Sequence, residues 1–215
     1  MRLAKIFLNS LSVNFILIVV NIFVFIVLSV LSILGKISID SFALNPSNVL
    51  AGKYLWTFLT SMFMHAGFFH IFANMLSLFF VGSLVERILG KKRYFYFYLI
   101  SGLFAGVFFV LVSYLFNTDL NQYAVGASGA LFGVVGILMF LTPNLPVYVM
   151  FIPIPIKMKY AAPGILVVLW LISIAGNIPI GNTAHLGGLI AGVVYGIYLR
   201  IKYPNKIEAI SRYFK

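Results

Sequence analysis

The chain contains no cysteine. Disulfides, thiolate nucleophiles and cysteine metal sites are therefore excluded. Acidic residues are almost as scarce: Asp and Glu number four, against 15 Lys and Arg. A pair of membrane-embedded aspartates is not available, because Asp40 and Asp119 fall in loops, while Glu86 ends an apolar run and Glu208 lies in the C-terminal tail. The His-Glu-x-x-His pattern of zinc hydrolases is also missing. No metal and no cofactor is expected. Charged residues of both signs make up only 9% of the 215 positions and hydrophobic ones 62%, which excludes an ordinary soluble domain. A formal net charge of +11 would suit nucleic acid. The basic residues cluster between apolar runs, however, and point to membrane topology and membrane lipid, with no nucleic-acid partner.

The apolar runs predict an all-α membrane protein forming a single domain over 1–215, with its core at about 54–201. Six spans are expected: 13–34, 68–89, 94–116, a short one from Ser128 to about Leu141, 161–175 and 184–201. The first lacks a small-residue cleavage site and reads as an anchor rather than a removed signal. Residues 35–64 are mixed in polarity and suit the interface; Tyr94, Tyr96 and Tyr98 form an aromatic belt. Residues 145–159 carry Ile152-Pro153-Ile154-Pro155 and read as an extended loop. The basic tail at 203–215 brings Ile207, Ile210 and Phe214 near helical spacing and is expected at the membrane surface. Six spans put both termini on one side. Lys and Arg residues at 2, 5, 87, 91–93, 157, 159 and from 200 onward share that side, and only Lys36 and Lys53 lie opposite. The positive-inside rule then makes both termini cytoplasmic, in a plasma membrane.

The fourth span is the unusual one. At about 14 residues it rises roughly 21 Å, short of the ~30 Å hydrocarbon core. Ser128 heads it, inside Gly126-Ala127-Ser128-Gly129, and so sits below the membrane surface at a helix N-terminus. Such a serine is either a cap or a nucleophile. Three other intramembrane polar residues share its depth: His70 and Asn74, one turn apart on the second span, and His185 near the outer end of the sixth. Gly129, Gly133 and Gly136 on the fourth span, and Ala184, Gly188, Gly192 and Gly196 on the sixth, form stripes that let two helices approach closely. Their contact would bring His185 to Ser128, the geometry for general-base activation of a hydroxyl. The backbone N–H of Ser128, the Asn74 amide and the His70 ring N–H are candidate oxyanion donors. No carboxylate is left to orient His185, so a Ser–His dyad is expected, with Phe132 packed on the imidazole. A transporter would show internal repeats and paired discontinuous helices, and neither is seen.

Read together, His70-x-x-x-Asn74, Glu86-x-x-x-Gly90, Gly126-Ala127-Ser128-Gly129 and Ala184-His185-x-Gly187-Gly188-x-x-x-Gly192 resemble the rhomboid intramembrane serine proteases over residues 54–200. The resemblance implies a six-helix rhomboid-like bundle whose short central helix starts at the catalytic serine, around a wet cavity open to the outside. It implies an intramembrane serine endopeptidase that cleaves transmembrane segments of single-span or other membrane proteins near a small residue, through Ser128 and His185. A catalytically inactive rhomboid-like binding factor is the alternative. His65 matches a position that is often polar or histidine in the family, where it would help hold cavity water. The family's Trp-Arg pair is replaced by Trp56-Thr57. Glu86 is expected to pair with a base or a helix end at the basic face, and span five, with Pro163 and Trp170, to be a gate.

Overall fold

The structure, a computed structural model, describes residues 11–149, 153–178 and 180–214. Arg2, Lys5 and Lys215, which count toward the topology, lie outside them.

Helix α1 (Val13–Ile33) begins where Ser12 caps it, its Oγ accepting the Phe15 N–H at 3.2 Å. The same hydroxyl donates to Glu86 Oε2 at 2.5 Å, and the Glu86 carboxylate accepts the N–H groups of Val13 and Asn14, each at 2.9 Å. Glu86 therefore caps a helix end from 72 residues away, satisfying donors that would otherwise be orphaned in an apolar surrounding. Beside it Asn14, 1% exposed, accepts from Tyr94 Oη at 2.6 Å and donates to the Leu78 carbonyl at 2.6 Å. Replacing Glu86 by Gln puts an amide donor against N–H donors, and we expect a loss of about 2–3 kcal/mol, read as a lower midpoint when unfolding is followed by circular dichroism in detergent.

A short 3₁₀ turn (Ile39–Ser41) and two short helices, α2 (Pro46–Leu50) and α3 (Thr57–Thr60), make up the first long loop. Helix α4 (Phe68–Leu89) contains a π-helical stretch at Leu78–Gly82, and Asn14 bonds the carbonyl at its start. Gly90, with φ +78 and ψ 154, is the whole connection to α5 (Lys91–Phe116). Only glycine holds that conformation easily. The third span thus begins three residues before the expected Tyr94, because a one-residue link leaves no loop to accommodate Lys91-Lys92-Arg93.

Helix α6 (Ser128–Leu141) is the centre of the bundle, with nine of its 14 residues buried, whereas α1 buries four of 21 and is peripheral. After it, Pro146–Val147 (β1) pairs antiparallel with Ile156–Lys157 (β2), so the segment expected to be extended folds back on itself. Helix α7 (Met158–Gly176) starts three residues earlier than predicted and carries Pro163 inside it; α8 (Asn182–Lys202) starts two earlier. Both α5 and α7 end on an asparagine in the left-handed region, Asn117 and Asn177, the αL stop that asparagine tolerates. Among the described residues five helices are long and apolar enough to cross a membrane, and α6 is a shorter apolar sixth. The tail, expected on the membrane surface, forms α9 (Pro204–Tyr213) and buries Ile207 in the main core. Its apolar side covers the end of α6 rather than facing lipid alone.

Candidate active site

Helices α6 and α8 meet backbone to backbone. A Cβ added to Gly188 would run into the carbonyl of Gly129, and one on Gly192 into the carbonyl of Gly133. On the facing side, a Cβ on Gly136 would lie 2.7 Å from the Leu189 oxygen and 3.1 Å from the Cα of Gly192. The third helix of the cluster closes in as well: Gly133 faces Ser101 and Gly187 faces Phe108, both on α5. The glycine stripes read from the sequence are the surfaces in contact.

This approach sets the heads of the two helices side by side. Nε2 of His185 lies 2.7 Å from Oγ of Ser128. In the tautomer with the proton on Nδ1, the hydroxyl donates to the imidazole. The residue at the N-cap of α6 is Ala127, and among the described residues the Ser128 hydroxyl is hydrogen-bonded to His185. The Phe132 ring, one turn after Ser128, stacks on His185 with centroids 4.6 Å apart and planes 19° from parallel. His185 is 7% exposed, and its Nδ1 is buried with no partner among the described residues, so no carboxylate reaches it.

The second span supplies the opposite wall. Gly126 adopts φ +115, and a Cβ there would come within 2.8 Å of Cε1 and Nε2 of His70 and 3.6 Å of Ser128 Oγ. Glycine is thus required both for the backbone angle and for the close approach of the imidazole. Nδ1 of His70 accepts the Ala66 N–H at 3.4 Å, which leaves the ring proton on Nε2, the nitrogen facing Gly126. Asn74, buried on the same face of α4, donates one amide hydrogen to the His70 carbonyl at 2.8 Å. The other hydrogen of that amide is not committed by this bond. As the first residue of α6, Ser128 also has a backbone N–H without an intrahelical acceptor. His65 packs edge-on against His70 at 5.2 Å and donates from Nδ1 to the Phe63 carbonyl at 3.3 Å. Burial, with His70 adding to it, pushes the His65 imidazole down to about 4, so it is neutral at pH 7.

The loop leading into Ser128 is pinned to the first long loop. Leu44 and Ala124 exchange two backbone hydrogen bonds at 3.0 and 2.8 Å, and Gly126 N–H donates to the Ser61 carbonyl at 2.8 Å. Tyr123 Oη and Asn48 Nδ2 both donate to Asp40 Oδ1, at 2.6 and 2.7 Å. These donors, Tyr123 foremost, hold the Asp40 carboxyl below its usual range. At the Trp56-Thr57 position, Trp56 Nε1 donates to the Ser41 carbonyl at 2.9 Å, and Thr57, 1% exposed, donates to the Tyr54 carbonyl at 2.7 Å. The loop is anchored inward through threonine.

One buried polar residue near His185 in the chain is not among the candidates read from the sequence. Asn182 is buried at the start of α8, three residues before His185, and donates to the Leu169 carbonyl of α7 at 3.5 Å. Its spacing to His185 was the available signal: i,i+3 places both on one helix face.

Comparison with known proteins agrees with this architecture. Residues 52–202 match the family model described as Rhomboid domain. The chain is 39% identical over 163 residues to "RHOMBOID-like protein 1" of Arabidopsis thaliana, covering 74% of this chain and 38% of that protein. It is 30% identical over 166 residues to "Rhomboid protein 1, mitochondrial" of Saccharomyces cerevisiae, covering 72% and 46%. A shorter match, 36% identical over 86 residues, covers 40% of this chain and 41% of "Putative rhomboid protease YdcA" of Bacillus subtilis. The matched region spans less than half the length of each of these relatives. The motifs that suggested the family lie inside the matched segment and on the helices expected to carry them, and the chain belongs to the rhomboid family, as a multi-pass membrane protein with an all-α bundle.

Proposed function

We propose that the protein is an intramembrane serine endopeptidase acting through a Ser128–His185 dyad. The observation that carries this reading is the 2.7 Å approach of His185 Nε2 to Ser128 Oγ at the heads of two glycine-faced helices. His185 takes the hydroxyl proton as Oγ attacks a peptide carbonyl, then returns it to the leaving amine; water releases the acyl group by the reverse proton path. The oxyanion is met by the Ser128 N–H, the free hydrogen of the Asn74 amide and His70 Nε2–H. Phe132 holds the imidazole plane in place of a carboxylate. The substrates are transmembrane segments that unwind near a small residue, since an intact helix keeps its carbonyls in hydrogen bonds. They reach the site between α4 and α7. With 13 of the 15 Lys and Arg on one side, the termini face the cytoplasm of a plasma membrane.

The test is cleavage of a single-span substrate by purified protein in detergent, comparing the parent with Ser128→Ala. The reading requires product from the parent alone. Equal product from both removes Ser128 as nucleophile, and no product from either over a panel of substrates favours an inactive binding factor. Asn74→Ala is expected to retain its fold and lower kcat about 10²–10³-fold, the effect of deleting one oxyanion donor. A lowered thermal midpoint with kcat of the folded variant near that of the parent would make Asn74 a packing residue only.

A further inference from the structure

At the end of the bundle opposite Ser128, α5 and α8 part to leave a groove of about 610 Å³, within the range of ligand pockets. Its floor is Phe97 and Ser101, both buried, and its walls are Ile100 and Phe104 on α5 with Ile190 and Val194 on α8, all four exposed. From Arg93 to Phe104 the helix rises about 16 Å at ~1.5 Å per residue, which is close to half of a ~30 Å hydrocarbon core. The groove is one leaflet deep and open to lipid along its side.

Its mouth is cationic and aromatic. Tyr195 stacks on Phe97 at 5.0 Å and on Tyr198 at 5.9 Å. The Arg93 guanidinium lies 5.4 Å from the Tyr203 ring centroid and donates to its hydroxyl at 3.3 Å. Lys202 donates to Tyr198 Oη at 2.6 Å and also lies 5.8 Å from the Tyr203 ring, as does Lys206. Three cations thus converge on one tyrosine. Among the described residues none of them has a carboxylate at ion-pair distance, the ion pair there being Arg212 with Glu208. Cation–π contacts offset only part of such crowding. An anion at the mouth would relieve it.

We propose that this groove is a binding site for an anionic phospholipid of the adjacent leaflet. One acyl chain lies between α5 and α8, and the phosphate meets Arg93, Lys202 and Lys206. The occupant is a lipid because the cations stand over an apolar channel of one-leaflet length, which a soluble anion would leave unfilled.

Native mass spectrometry of the full chain tests this, with release from micelles holding equal amounts of phosphatidylglycerol and phosphatidylcholine. The parent is expected to retain one phosphatidylglycerol several times more often than phosphatidylcholine. Arg93→Gln and Lys202→Gln should each lower that retention about fivefold, the effect of ~1 kcal/mol per cation. Ala191→Phe, which fills the groove and leaves every charge in place, should lower it as far. Lys92→Gln, a basic residue at the same end outside the groove, should leave it unchanged. Equal retention of the two lipids, parent-like retention in Arg93→Gln and Lys202→Gln or in folded Ala191→Phe, or an equal loss in Lys92→Gln would each overturn the site.

Discussion

Gly192→Leu is expected to separate α6 from α8 and abolish the proposed proteolysis. A Cβ at position 192 points into the Gly133 carbonyl and within 2.9 Å of the Gly136 Cα. Both obstacles are backbone, so no side chain can swing away, and the remaining three carbon atoms of leucine have no space on that face. Overpacking of a tight core costs about 1–3 kcal/mol when side chains can yield; here whole helices must move, and a loss at or above that range is expected. The site feels the shift directly, because Ser128 and His185 sit on the two helices being pushed apart. Unfolding followed by circular dichroism in detergent checks the stability, and substrate cleavage checks the site. Gly164→Ala is the control: nothing lies within 4 Å of its added Cβ, and alanine is the better helix former. A parent-like midpoint for Gly192→Leu would show that the glycine faces do not bear on each other.

His185→Ala and Ser128→Ala should each lower kcat/KM by about four orders of magnitude or more, and the double variant should be no slower than the worse single one. In the proposed dyad nucleophile and base act as one unit, so removing either would leave only binding and oxyanion stabilisation. Independent contributions would multiply instead. The fold should survive both changes: among the described residues the Ser128 hydroxyl bonds His185, and alanine at 185 removes a ring that contacts Phe132 and Ser128 without bridging to any carboxylate. Additive losses, or a His185→Ala enzyme within tenfold of the parent, would break the coupling.

The parts of this arrangement that could be read from the chain were those written as local periodicity. Gly129-x-x-x-Gly133 and Gly188-x-x-x-Gly192 repeat at helical spacing in apolar surroundings, and small residues there have few uses besides close packing. The apolar run from Ser128 to about Leu141 likewise gave the length of the short central helix, 14 residues. Other features rest on long-range pairing that periodicity cannot carry. Glu86 was expected to meet a base or a helix end, and it meets a helix end, but the identity of that end as Ser12–Asn14 lies 72 or more residues away. Asn14 stands near the start of an apolar span, and its bond to the Leu78 carbonyl follows from a π-helical turn that no composition signals. The Leu44–Ala124 bridge joins two irregular segments, where no repeat exists to register one against the other. The tail helix had the right amphipathic spacing, yet spacing does not say whether Ile207 faces lipid or the end of α6.

The most direct measurement is labelling of the intact protein with a fluorophosphonate, which phosphonylates an activated serine with loss of fluoride. One equivalent should attach to the parent at Ser128, located by mass spectrometry of the digested chain. Labelling should vanish in Ser128→Ala and fall to background in folded His185→Ala. Attachment at another serine, or undiminished labelling of Ser128 without His185, would contradict activation of the hydroxyl by the imidazole beside it.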